Sequence, residues 1–518
     1  MNRHRRMHRI NPLFALLKLY LRVRIEEFHS KEGIKKTALR AVRLILGWTS
    51  SVYPLFMGIN PRFQWFSDKA AGEAENTRKN LLEKLSGRVR STAGGSKLYT
   101  GSLSRGCLHC IEGDWACNFI NRLCNRDCFF CKRSHRTIRE EPEPETWGFF
   151  FPDPSAHISY LNTFHARGAS FSGGEPLLVR ERLLEHITAV RKEFSDSVYI
   201  WMYTNGDLAD RDILEKLRAA GLDEIRFNIS AREYDLSPVV LAKEYIPVVT
   251  VEIPCIPEDH ELLKALLPVM QDAGVNFLNI HHLSVEEQNC RDLIRREYHF
   301  TGFYPGISVH ESEICALKLL LHACENGINL PINYCSSIYK HRYQGRGFRK
   351  QRASAFPLGY EELTDTGYLR RISVSASPGQ IRGLASRLDN SIPDKSLWKT
   401  AEDEESITLH TSLIHYINWS CSSIGITYLK PGVAPGPGST GLEAANLKED
   451  KKIVFKIPGL DQSLFDLWHR LYINKEDQVS ALSAFSASFP EKSDQKNPTV
   501  ILNIANYELQ QQGFPEIL

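Results

Sequence analysis

Twelve cysteines are spread over 518 residues, and six of them fall between positions 107 and 131. The densest group is CNRDCFFC, in which Cys124, Cys128 and Cys131 are separated by three and then two residues. Thiolates are soft donors that suit zinc, copper(I) or iron–sulfur clusters. Structural zinc takes a closed set of four ligands, which Cys107 and Cys110 of the upstream GCLHC could complete. A [4Fe–4S] cluster on three thiolates leaves one iron open, which suits chemistry better than structure. The triplet alone fits either.

A second motif, FSGGEPL (171–177), begins its glycine pair 42 residues after Cys131. Adjacent glycines let backbone approach a ligand closely, with N–H and C=O groups left to bind it. Taken together, Cys124, Cys128, Phe130 and Cys131 as CxxxCxφC and Gly173–Gly174–Glu175–Pro176 as GGEP resemble the radical S-adenosylmethionine (radical SAM) superfamily. The resemblance covers about residues 100–335.

The resemblance implies that Cys124, Cys128 and Cys131 hold a [4Fe–4S] cluster and that S-adenosylmethionine (SAM) fills the fourth place. It implies reductive cleavage of SAM to a 5′-deoxyadenosyl radical, hydrogen abstraction from a substrate, and a one-electron donor such as flavodoxin or ferredoxin. By the same resemblance Phe130 would lie by the adenine, and Gly173, Gly174 and Glu175 would hold the SAM ammonium. Asn205 in YTNG would contact the ribose or methionine part, and Ser230 and Arg232 in NISAR would meet the carboxylate. Asn205 reads equally well as a turn asparagine before Gly206, and Ser230 and Arg232 as ordinary polar residues after a strand. No residue is assigned to catalysis beyond these.

Downstream, PINYCSSIYKHRYQ places Cys335 at the end of a short apolar run, followed by a dense basic stretch from Lys340 to Arg352. An upstream GCxxC paired with a late NYCS segment resembles a poorly characterised radical SAM subgroup often described as biotin-synthase-related. Cys107, Cys110 and Cys335 are therefore candidates for a second site, iron–sulfur or zinc, with a redox pair or buried thiols as the plainer readings. The basic stretch reads as a phosphate-binding element or, slightly favoured, a solvated surface loop.

These groups need a scaffold. Apolar runs at 115–122, 168–172, 197–204, 224–230, 247–256 and 277–283 read as strands, with helical patterns at 178–194, 208–220, 259–273 and 308–326. Strands alternating with helices give a parallel sheet with reactive groups at its carboxyl ends. The expected fold is α/β, a partial (β/α)6 radical SAM barrel over residues 98–355. A basic helical extension and linker would occupy 1–97, and a small α+β domain 356–518. Residues 1–50 carry twelve Lys and Arg against three Glu, which suits peripheral contact with a membrane or nucleic acid. The first apolar stretch is too short and too charged to span a bilayer, and the cysteine usage fits a reducing, cytoplasmic setting. The rival reading is a zinc or iron–sulfur module that binds nucleic acid without turning SAM over. It leaves FSGGEPL, YTNG and the six-strand pattern without a use. Whether the substrate is a peptide, an RNA or a small molecule is not written in the sequence.

Overall fold

The computed structural model describes residues 63–132, 143–355 apart from 147–148 and 304–305, 359–474 apart from 421, 436–446, 450 and 461, and finally 504 and 506–510. The basic N-terminal stretch lies outside the described residues. At the end of the expected helical extension and linker, α1 (Asp68–Leu85) forms a helix and two short strands follow it, β1 (Arg90–Thr92) and β2 (Lys97–Tyr99). Helix α2 (Arg105–Glu112) carries the GCLHC motif and leads into β3 (Trp115–Asn121). Two short strands, β4 (Glu145–Thr146) and β5 (Phe149–Phe150), and helix α3 (Pro154–Thr163) come next.

Strand and helix then alternate as expected. The strands are β6 (Gly168–Gly173), β7 (Tyr199–Thr204), β8 (Glu224–Phe227), β9 (Val248–Pro254) and β10 (Phe277–His281). Between them lie α4 (Arg180–Phe194), α5 (Arg211–Ala220), α6 (Ser237–Ala242) and α7 (His260–Asp272). Helix α8 (His310–Glu325) precedes a seventh parallel strand, β11 (Ile332–Cys335). The sheet runs β1-β2-β11-β10-β9-β8-β7-β6-β3-β4-β5, parallel from β11 to β3, with antiparallel strands on both edges.

Side chains alternate across a strand with period two, and here the alternation sorts core from chemistry. Phe171, Ile200, Met202, Ile225, Phe227, Val251 and Ile280 join the main hydrophobic core under the helices. The residues between them face the other way, and that inner face carries Ser172, Tyr203, Arg226, Glu252 and His281, which line one cavity. Cys117 is also on this face, in an aromatic cluster with Trp115, Phe119, Tyr199 and Trp201.

The inner face holds a buried ion network. Arg226 gives Nε to Glu224 and Nη1 to Glu252, both at 2.9 Å, and Nη2 to the Ser104 hydroxyl at 3.1 Å. Ser104 also caps α2 by accepting from the Cys107 N–H. Helix α2 is drawn so close that a Cβ on Gly106 would fall 2.3 Å from Arg226 Nη2.

The basic stretch after Cys335 forms no surface loop. It is a continuous helical segment, α9, made of Ser337–Tyr339, a π-turn at Lys340–Gln344 and Gly345–Ala353. Beyond it an antiparallel sheet runs Trp398–Thr400, Ser406–Leu409, Leu369–Ser375, Ser423–Lys430, Lys452–Leu460, with its own core around Tyr428, Trp468 and Leu388. Within the expected α+β domain Leu369–Ser375 is a strand and Pro378–Ser391 a helix, and the short strand Ser406–Leu409 leads into a 3-10 turn at Thr411–Tyr416.

Arg226 is 4% exposed and Glu224 fully buried, so Glu224 cannot turn to water if the guanidinium is lost. Removing one partner of a buried network costs about 3–5 kcal/mol. Arg226→Met should lower the urea midpoint accordingly, and adding Glu224→Gln should restore part of it. A midpoint equal to wild type would show that the network does not hold the sheet.

Candidate active site

The loop bearing the cysteine triplet starts where β3 ends. Gly174 N–H donates to Asn121 O at 3.1 Å, and Glu175 N–H to Leu123 O at 2.7 Å. Asn121 returns a bond from Nδ2 to Glu175 O at 2.9 Å. This approach explains both glycines. Gly173 has φ +124°, and a Cβ there would meet Asn121 O at 1.9 Å; on Gly174 it would meet Leu123 O at 1.7 Å. The glycine pair thus makes room first for the chain's own backbone, and two N–H groups expected to bind a ligand are used internally.

Glu175 extends the same joint sideways. Its carboxylate accepts from Leu177 N–H at 3.0 Å, the Thr204 hydroxyl at 2.8 Å and Asn205 N–H at 2.7 Å. Burial pushes its pKa up to about 7 against the pull of those bonds. Asn205 fulfils the turn role, its Oδ1 accepting from Asp207 N–H, while its Nδ2 donates to Asn125 Oδ1 at 2.7 Å.

Asp207, which the sequence reading passed over, is the hub of this region. It accepts from Asn125 Nδ2 at 2.9 Å, from Arg126 Nε at 2.6 Å and Nη2 at 2.8 Å, and from Arg232 Nη1 at 3.0 Å. The Arg126 hydrogen bond holds its pKa below the usual carboxylate value, despite some burial. Two of the three residues between the first two thiols, Asn125 and Arg126, are therefore tied to the YTNGD turn. On the far side, Phe129 and Phe130 pack against a small cluster containing Leu283, Leu293 and Phe300, with the Arg296 guanidinium 3.6 Å from the Phe129 ring centre. Asn289 Nδ2 donates to Phe130 O at 3.1 Å.

Held this way, Cys124, Cys128, Phe130, Cys131, Gly173, Gly174, Glu175 and Asn205 line a single cavity of about 370 Å³, within the usual range for small-molecule sites. Burial, then the neighbouring Cys131 and Cys124, push the Cys128 thiol up to about 12. Among the described residues no three His, Cys, Asp or Glu side chains converge as for a single metal ion. A four-iron cube is wider than one ion, and three thiols spread around a common cavity suit its donor set. Ser230 and Arg232 do not line the cavity. Ser230 Oγ donates to Asn228 Oδ1 at 2.6 Å, and Arg232 is engaged by Asp207 and Asp235.

The structure also gathers Cys107, Cys110 and Cys335, around a residue the sequence did not flag. Lys97 Nζ donates to Cys335 Sγ at 2.9 Å. Asn333 Nδ2 reaches Cys335 at 3.4 Å and Cys107 at 3.6 Å, and Gln344 Nε2 donates to Cys110 at 3.0 Å. Burial opposes the Lys97 charge, but Cys335, Cys107 and Cys110 together outweigh it and raise its pKa. Burial would likewise raise the Cys335 thiol, and Lys97 with His281 and Lys340 overrides it and holds the thiol below its ordinary value.

A parallel α/β sheet with three thiols and a GGEP turn over its inner face defines a class of cluster-bearing enzyme. The profile of the Radical SAM superfamily matches residues 118–245. A protein of Methanocaldococcus jannaschii, provisionally named a glycyl-radical enzyme activating enzyme, is 31% identical over 284 residues, which is 52% of this chain and 72% of that protein. The chain belongs to the radical SAM superfamily, and it is an enzyme whose cofactors are a [4Fe–4S] cluster and SAM. Among solved structures, SuiB of Streptococcus suis bound to SAM aligns at 12% identity and a TM-score of 0.32, over 52% of this chain and 57% of that one. The methyltransferase TsrM of Kitasatospora setae aligns at 13% identity and a TM-score of 0.27, over 38% and 42%. The chain spans about half the length of these solved chains. No helix among the described residues is long and apolar enough to cross a membrane.

Asp207→Ala should free Asn125 and Arg126 while leaving the sheet intact. Charge-assisted bonds are the strong ones in such a joint, so iron retained after anaerobic reconstitution and desalting should fall about twofold or more. Unchanged iron with an unchanged circular dichroism spectrum would show that the loop is held without this carboxylate.

Proposed function

We propose that this chain cleaves SAM reductively at a [4Fe–4S] cluster held by Cys124, Cys128 and Cys131, and directs the product radical at a C–H bond in the inner-face cavity. The observation that carries this reading is that one cavity receives all three thiols together with Gly173, Gly174, Glu175 and Asn205. When bound, the cluster and SAM supply a one-electron reductant and a primary carbon radical; the chain supplies orientation and exclusion of water.

Each side chain has a role under this reading. With the Gly174 and Glu175 N–H groups bonded internally, the SAM ammonium is met by carbonyl oxygens of the turn, the acceptors a cation requires. Asn205 faces the ribose or methionine part, and Phe130 the adenine. Arg232 acts at one remove, through Asp207, and Ser230 through Asn228. The M. jannaschii relative is named for activating a glycyl-radical enzyme, and a polypeptide C–H bond is accordingly the substrate class we favour. A flavodoxin- or ferredoxin-type protein would deliver the electron.

For Cys107, Cys110 and Cys335 we favour a thiol centre without metal, because Lys97, Asn333 and Gln344 already donate hydrogen bonds to the three sulfurs.

Anaerobic reconstitution should yield about four iron per chain, the content of one four-iron cluster. Dithionite and SAM should then release 5′-deoxyadenosine, and Cys124→Ala, Cys128→Ala and Cys131→Ala should each abolish both cluster absorbance and nucleoside. One zinc per chain with no nucleoside would favour the nucleic-acid-binding module. Cys107→Ala, Cys110→Ala and Cys335→Ala should leave iron unchanged; about eight iron in wild type, falling in these variants, would establish a second cluster.

A further inference from the structure

The cavity has an uneven charge balance at its end away from the glycine turn. Its lining holds two carboxylates and four basic side chains. Glu175 is taken by three donors of its own turn, and Glu252 by Arg226, Asn279 and His281. Arg126 is matched by Asp207, and Arg226 by Glu224 and Glu252. Two cations are left, Lys132 and Lys340.

Lys340 Nζ has no carboxylate within ion-pair distance among the described residues. Its hydrogen-bond partner is His281 Nδ1 at 2.7 Å. The opposite ring nitrogen, Nε2, lies 2.9 Å from Glu252 Oε1, so Nε2–H donates to Glu252 and Nδ1 accepts from the ammonium. An ammonium has three donors, and one is spent. Lys132 Nζ donates to Ser284 Oγ at 2.5 Å and stands 3.8 Å from Glu286, a long and partial match. Both side chains line the same cavity. The backbone is shaped to put Lys340 there: it opens the π-turn that interrupts α9, and such turns recur where a helix must re-aim a side chain for function.

We propose that Lys132 and Lys340 form a carboxylate-binding subsite within the cavity. With Lys132 partly matched by Glu286, the pair leaves about one unit of positive charge, which suits a monoanionic carboxylate better than a phosphate carrying close to two charges. The carboxylate belongs either to the substrate, as an acidic side chain or chain terminus of a polypeptide, or to SAM itself. The subsite rests on the reading of the cavity as the reaction chamber, but its binding is measurable without turnover.

The test uses the reconstituted full chain under anaerobic conditions, with SAM affinity by equilibrium dialysis and the affinity of N-acetylglycine, a monoanionic chain-terminus mimic, by titration calorimetry on SAM-loaded protein. Lys340→Met and Lys132→Met are compared with Lys399→Met, an exposed lysine on the C-terminal sheet. Hydrogen bonds to charged groups are the stronger class, so each cavity variant should weaken carboxylate binding about tenfold or more. Loss of N-acetylglycine binding with SAM affinity intact assigns the subsite to the substrate. A parallel loss of SAM affinity assigns it to SAM. Wild-type protein that does not bind N-acetylglycine, combined with SAM affinities unchanged in both variants, overturns the proposal. Should N-acetylglycine bind and SAM fail to yield nucleoside, the proposed activity falls while the subsite stands.

Discussion

Two backbone hydrogen bonds, from Gly174 to Asn121 and from Glu175 to Leu123, hold the site together. They join the end of β3, which launches the cysteine loop, to the end of β6, which launches the GGEP turn. Such bonds require main chains in contact with no side chain between them. That explains why a Cβ at either glycine would collide with a carbonyl oxygen. The sequence reading gave the glycines to the ligand; the structure gives them first to the chain. The ligand benefits indirectly, because the two segments that must face it are fixed to each other before it arrives.

From this joint the order spreads by charge. Glu175 carries it to Thr204 and Asn205, and Asp207, two residues on, carries it back to Asn125 and Arg126 in the cysteine loop. The path closes on itself, so moving any one segment strains the other two. A loop of small and polar residues between thiols would otherwise wander, since ordering each residue costs roughly 1–2 kcal/mol in backbone entropy.

Much of this was legible in the sequence, for reasons that differ by residue. The strands and helices of the sheet were readable because a two-sided parallel sheet writes itself as apolar runs separated by amphipathic helices. Cys124, Cys128 and Cys131 were readable as a group because three thiols within eight residues stand out, and the fold brings all three to one cavity. Asp207 was not, because an acid after Asn-Gly looks like any turn residue, and its partners lie about eighty positions upstream. Lys340 was hidden differently. Set among His341, Arg342, Arg346 and Arg349, it looked like one more solvated charge, and only the fold shows it lining the cavity while they do not. The convergence of Cys107, Cys110 and Cys335 was suggested by resemblance, but Lys97 at their centre had no signal, since lone lysines in short strands are common edge residues.

Lys97 also bears on how the inner face is divided. A buried ammonium is tolerable only beside compensating charge or strong acceptors, and Lys97 has three sulfurs in reach. Arg226 finds its compensation in Glu224 and Glu252, and Arg126 in Asp207. The inner face thus alternates cation and acceptor from β2 across to β8, each matched within the fold. At the cavity the matching loosens, with Lys132 only 3.8 Å from Glu286 and Lys340 bonded to a ring nitrogen of His281 rather than to a carboxylate. A folded chain tolerates such incomplete pairs only where solvent or a ligand completes them, so these two lysines mark the end of the cavity that a ligand of opposite sign would complete.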